Sequence, residues 1–130
     1  MLGSDIMLIG KCKTISKKNQ IIRSNESINY AINVIKKSNV APYVQKLILY
    51  GSCARNEQNQ ESDVDLFLEL SPNFPINSLR LDAIKLKSDV MPEEKDLPDV
   101  DLKVVVGKEW ETNKLTYYKN VKKDGIDLWK

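Results

Sequence analysis

Two stretches of strict alternation do most to limit what this chain can fold into. Over residues 63 to 70, Val64, Leu66, Leu68 and Leu70 fall on one side, and Asp63, Asp65, Phe67 and Glu69 on the other. Residues 99 to 106 repeat the pattern, with Val100, Leu102, Val104 and Val106 opposite Asp99, Asp101, Lys103 and Val105. A period of two belongs to a strand, whose side chains point alternately to opposite faces. Each of these strands therefore has a dry face and an acid-bearing one. Between them Ile76, Leu79, Ala83, Leu86 and Val90 step by three and four, the spacing of an amphipathic helix. Ser24 is a good helix cap, and Ile28, Ala31, Ile32 and Ile35 after it predict a helix from Ser24 to near Asn39. Residues 44 to 50 form a compact apolar run stopped by Gly51-Ser52 and read as a buried strand. Thr112 to Asp124 predicts a last helix, with Gly125 as a left-handed terminator and Ile126 to Trp129 as a short closing strand. Strands interleaved with helices give an α/β layer fold.

A chain of 130 residues suits one core, and no repeat or Pro/Gly/Ser-rich linker divides it. We expect residues 24–130 to form the domain and residues 1–23 a basic arm or short strand. That arm carries Lys11, Lys13, Lys17, Lys18 and Arg23 against Asp5 alone, in a chain whose net charge is only +2. It is most simply a soluble tail, compatible with a polyanion such as nucleic acid but not requiring one. No apolar run approaches the roughly 20 residues that span a bilayer, so the expectation is a cytoplasmic protein without a membrane partner. The chain has no histidine, which excludes Ser-His-Asp and Cys-His catalysis and imidazole-ligated zinc. Its two cysteines, Cys12 and Cys53, lie too far apart for a Cys-x-x-Cys pair, and Cys53 reads as a small packing residue. Trp110, Tyr117, Tyr118 and Trp129 read as core and closing contacts.

Chemistry concentrates in the acids. Asp63 and Asp65 share a strand face by their spacing, and Asp101 sits near the start of the later strand, so the three can converge. Converging carboxylates without histidine make a hard oxygen site suited to Mg²⁺, which takes its remaining ligands from water and substrate phosphates. Upstream, Gly51-Ser52 ends a strand and opens a helical turn, Cys53-Ala54-Arg55. Glycine there permits close approach of backbone to a ligand, and successive N–H groups with the serine hydroxyl can grip a phosphate. Arg55 is open between a phosphate contact and a surface ion pair, while Lys46, Arg80, Lys85 and Lys103 read as solvated cations.

Ten residues separate Ser52 from Asp63-Val64-Asp65. The segment Gly51-Ser52-Cys53-Ala54-Arg55 to Ser62-Asp63-Val64-Asp65-Leu66 resembles the minimal nucleotidyltransferases of the polymerase-beta-like superfamily. Their motif is Gly-Ser, a spacer of this length, Asp-x-Asp, and a third Asp on a later strand. The resemblance covers residues 28 to 129 and implies a small mixed sheet with helices packed mainly on one face. It implies transfer of a nucleoside monophosphate from ATP or another nucleoside triphosphate to a hydroxyl. In that chemistry Gly51 and Ser52 hold the triphosphate, helped by Arg55. Asp63, Asp65 and Asp101 would ligate two Mg²⁺ ions, with Asp101 receiving the acceptor's proton. Ser62 would cap or orient the Asp-x-Asp strand. Asp99 shares a strand face with Asp101, and Asp101 is preferred because the following Leu102-Lys103-Val104 is family-like. Many members have Gly where this chain has Asn56, a residue that also accepts left-handed backbone angles.

Larger relatives carry an extra domain for the acceptor, for which the sequence has no room. A stand-alone domain of this type resembles the antitoxin of paired MNT–HEPN systems, which implies AMP transfer to a helical HEPN-type toxin partner. Two other readings stay open: a catalytically silent antitoxin module that neutralises by contact, and the catalytic subunit of a small-molecule, antibiotic-modifying nucleotidyltransferase.

Overall fold

The computed structural model describes residues 17–59 and 61–129. Helix α1 spans Lys17–Lys37 and is followed by a 3₁₀ turn, Ala41–Tyr43. Strand β1 (Val44–Tyr50) leads through a turn and loop to β2 (Val64–Leu70), then helix α2 (Ile76–Asp89) and β3 (Val100–Val106). A 3₁₀ segment, Glu109–Thr112, precedes helix α3 (Thr116–Asp124) and the short β4 (Ile126–Asp127). All three strands expected from the apolar patterning form, nearly residue for residue.

The sheet order is β3-β2-β1-β4. β1 runs antiparallel to both β2 and β4, whereas β2 and β3 are parallel. Parallel neighbours need a crossover, and α2 supplies it. The result is the small mixed α/β sheet that the resemblance implied.

Helices α1 and α2 cover one face, where Ile28, Ala31, Ile35, Leu86 and Val90 pack on Leu47, Leu49 and the even-numbered residues of β2. On the other face a second, smaller cluster joins Ile48, Tyr50 and Phe67 to Trp110 and Val121, with Tyr117 and Tyr118 against it. The tail aromatics thus serve as core contacts, and Trp129 packs against the larger cluster. This second cluster corrects the expectation of an open acidic face along β2. Phe67 and Glu69 are fully buried beneath the 3₁₀ segment and α3, so only the start of the strand keeps an accessible acid face.

Several boundaries also differ from the sequence reading: Thr112 closes the 3₁₀ segment and the last helix starts only at Thr116, while the closing strand stops at Asp127 and not at Trp129. Residues 1–16 of the expected arm lie outside the described residues, but Lys17 to Arg23 already belong to α1, and Ser24 does not cap it. Ser24 is buried within the helix, and its hydroxyl donates to the Gln20 carbonyl at 2.9 Å. The physical reason is that Ser24 and Ser27 extend the buried stripe of Ile28, Ala31 and Ile35, and Ser27 donates to the Pro98 carbonyl at 2.8 Å. Gly125 ends α3 with φ −66°, not left-handed. It is needed for space, because a Cβ there would meet the Val121 carbonyl and lie 2.6 Å from Ile48 Cγ2.

Candidate active site

The site forms where β1 ends and β2 and β3 begin. Register places Tyr50 beside Asp65, and Asp65 beside Asp101, so one lateral row crosses three strands. Adjacent residues in such a row share a face, and this is the face away from α1 and α2. Asp99 lies one step outside the β2–β3 pairing, its carbonyl accepting from the Val64 N–H at 2.8 Å. Of the two acids on that strand face, Asp101 is the one in register with Asp65.

Gly51 follows Tyr50 directly, with φ +78°. A Cβ at that position would lie 2.6 Å from Asp65 Oδ2, so glycine is required both by conformation and by the closeness of the carboxylate. The chain then makes one helical turn: the Gly51 carbonyl accepts from Ala54 and Arg55 N–H, and the Ser52 carbonyl from Glu57 N–H at 2.8 Å. Asn56 closes it at φ +57°, the left-handed conformation anticipated for it. Cys53 anchors the turn from below. It is buried, its thiol faces Ser24 Oγ at 3.8 Å and the Asp63 carbonyl at 3.5 Å, and burial pushes its pKa upward. That is a packing thiol, not a nucleophile.

Above the row stands α3. Tyr117 and Tyr50 share a hydroxyl–hydroxyl hydrogen bond of 2.8 Å, with their rings edge to face at 5.7 Å. Burial first, then the Tyr117 contact and the charges of Asp65 and Asp101, hold the Tyr50 hydroxyl well above the ordinary tyrosine range. Tyr117 is raised too, chiefly by burial. Arg55 bridges the turn to α3: its Nε donates to Glu57 at 2.6 Å and a terminal nitrogen to Asp124 at 2.7 Å. Between turn, strands and helix opens a cleft of about 610 Å³, with Gly51, Ser52, Arg55 and Asp65 on one side and Tyr117, Asn120 and Lys123 on the other.

Burial and the charges of Asp101 and Asp63 lift the Asp65 carboxyl above its ordinary value, with Lys103 and Arg55 opposing. Lys103 Nζ lies 3.7 Å from Asp101 Oδ1. Asp63 is exposed just before β2 and Ser62 is half-buried, its hydroxyl accepting from the Asn59 N–H at 2.9 Å. Among the described residues no three acids are gathered into a ready-made metal cage. The donor set nonetheless suits Mg²⁺, which binds through one or two carboxylates and fills its shell with water and phosphate oxygens. The crowding of like charge around Asp65 is what a divalent cation would relieve.

The sequence pointed to the acids and to Gly51-Ser52 but not to Tyr50, Tyr117, Asn120 or Lys123. Their signal was faint: a tyrosine abutting Gly-Ser, and polar residues three apart on the final helix.

A family model for the nucleotidyltransferase domain matches residues 32–128. The chain belongs to that family. Among solved structures it is similar to a protein from Sulfolobus solfataricus provisionally described as a nucleotidyltransferase, at 18% identity and TM-score 0.47, covering 100% of this chain and 93% of that one. It is also similar to a chain of a toxin–antitoxin structure with AMP-PNP, at 24% identity and TM-score 0.48, covering 78% of this chain and 71% of that one. No curated protein matches the chain. Among the described residues of this nucleotidyltransferase domain, no helix is long and apolar enough to cross a membrane.

Proposed function

We propose that this nucleotidyltransferase domain moves AMP from ATP to a hydroxyl on a partner protein in the presence of Mg²⁺, and that the partner is a HEPN-type toxin which it neutralises. The observation that carries the transfer reading is the Tyr50–Asp65–Asp101 row abutting Gly51-Ser52. The protein-acceptor reading rests on the sequence resemblance to MNT antitoxins.

In this account the N–H groups of the turn after Gly51, with the Ser52 hydroxyl, hold the triphosphate at the cleft wall. Asp63, Asp65 and Asp101 hold Mg²⁺, which when bound supplies charge neutralisation and Lewis-acid polarisation. The acceptor oxygen attacks the α-phosphorus, an O–P bond forms, and the bond to the bridging oxygen of pyrophosphate breaks. Asp101, whose side chain is half exposed at the sheet's open side, receives the acceptor's proton. The Tyr50–Tyr117 contact keeps α3 over the row and one side of the cleft dry.

The test supplies ATP labelled at the α or the γ phosphate, Mg²⁺, and a purified HEPN-type protein from the same source. The account expects α-label, and no γ-label, on that protein. Neutralisation by the chain carrying Asp63→Asn and Asp65→Asn, undiminished from wild type, would contradict it and favour a module that acts by contact alone.

A further inference from the structure

A triphosphate entering the cleft brings several negative charges toward Asp65, so its binding calls for a protein cation as well as metal. Two basic side chains line the cleft, Arg55 and Lys123. Arg55 is already committed, held by Glu57 at 2.6 Å and by Asp124 at 2.7 Å, and Asp124 is largely enclosed. The two lysines of the last turn of α3 behave differently. Lys122 reaches away to the carbonyls of Glu111 at 2.6 Å and Asn113 at 3.4 Å. Lys123 faces the cleft, and among the described residues no carboxylate pairs with it. Attraction of cations to a helix C-terminus would explain both lysines equally, and so does not account for this division.

From this contrast we propose that Lys123 is the cationic side chain that binds the triphosphate, alongside the Gly51-Ser52 turn, and that Arg55 is a positioning residue. The bridge from Arg55 to Asp124 fixes the last turn of α3, and Lys123 with it, against the phosphate-gripping turn that begins at Gly51. The inference rests on the nucleotide-binding reading of the cleft and adds to it the group that distinguishes a triphosphate from a monophosphate.

The experiment is calorimetric titration of the full chain with Mg–ATP and, separately, with AMP, alongside thermal melts. Lys123→Ala is expected to weaken Mg–ATP binding about tenfold, equivalent to about 1.4 kcal/mol. It should change AMP binding much less and leave the melting temperature unmoved, and Lys123→Arg should keep most of the affinity. Arg55→Ala should lower the melting temperature and weaken Mg–ATP, but its effect on Mg–ATP should largely vanish in the Lys123→Ala background, as expected for a residue acting through another. The proposal is overturned if folded Lys123→Ala binds Mg–ATP as wild type does, if it loses AMP and ATP equally, or if the Arg55 and Lys123 losses simply add. Wild type that binds no Mg–ATP would overturn both this inference and the proposed function. Tight binding with the Lys123 pattern but no transfer would overturn the function alone.

Discussion

Asp65 carries a cost to the fold that its proposed place in the reaction would account for. Its carboxyl is lifted by burial and by the charges of Asp101 and Asp63. The folded chain therefore holds that proton more tightly than the unfolded chain. The stability so contributed is full below the ordinary carboxylate pKa of about 3.9 and is lost as pH rises through the lifted value. At neutral pH without metal, Asp65→Asn should consequently melt higher than wild type, with the gap closing as the solution is acidified. Added Mg²⁺ should raise the wild-type melting temperature and leave the variant unchanged, while the variant's transfer rate falls at least about a hundredfold. Melting curves across pH, with and without Mg²⁺, check the first two expectations. Gly51 is tied to the same carboxylate. Gly51→Ala would place a methyl group 2.6 Å from Asp65 Oδ2 at φ +78°. We expect a loss of about 1–3 kcal/mol, read by denaturant unfolding, together with loss of activity. Asp63, Asp65, Asp101, Gly51 and Ser52 stood out as candidates because a Gly-Ser turn and an Asp-x-Asp pair, each common by itself, occur together at this spacing with a further acid on a later strand. Tyr50 and Tyr117 did not, because nothing in a pattern separates a tyrosine filling a core from one bordering a cleft.

Elements were legible where a periodicity ran unbroken and were missed where a neighbour overrode local chemistry. The three long strands appear within a residue of the runs that announced them. Ser24 looked like a cap because serine favours that position, but its place on the buried stripe of α1 lets the helix run on past it from Lys17. Gly125 looked left-handed because helices often end so, yet the crowding of Ile48 and Val121 is what excludes a side chain. The largest surprise is Glu69, which alternation assigned to an accessible face. The 3₁₀ segment Glu109–Thr112 lays Trp110 over it, and Trp110 Nε1 donates to Glu69 Oε1 at 2.7 Å. The other carboxylate oxygen, Oε2, is buried with no hydrogen-bond partner. Trp110→Phe would leave both oxygens of a fully buried carboxylate without a donor, and should destabilise the chain by about 1–3 kcal/mol beyond the lost ring area. Chemical denaturation checks this. Trp110→Phe combined with Glu69→Leu should recover part of the loss, since an apolar pair removes the orphaned group.

At the scale of the molecule, the sheet order β3-β2-β1-β4 brings the ends of separate strands to one place. The parallel pairing of β2 with β3 sets Asp65 beside Asp101, although the sequence holds them more than thirty residues apart. Composition and alternation implied the layers, but the order and register of strands depend on how α2 crosses over and how α3 returns, which no single segment encodes. The site in turn depends on both faces. α1 and α2 make the strands rigid from one side, and α3, held by Arg55–Asp124 and Tyr50–Tyr117, closes the cleft from the other. The central claim is that this row of acids transfers a nucleotide. Its most direct test is incubation of the wild-type chain with each α-³²P-labelled nucleoside triphosphate, Mg²⁺ and a lysate of its own organism, beside Asp65→Asn. The account predicts a labelled acceptor with wild type, strongest with ATP, and none with the variant. Absence of label under every nucleotide from a wild-type chain that binds Mg–ATP, or equal label from the variant, would contradict it.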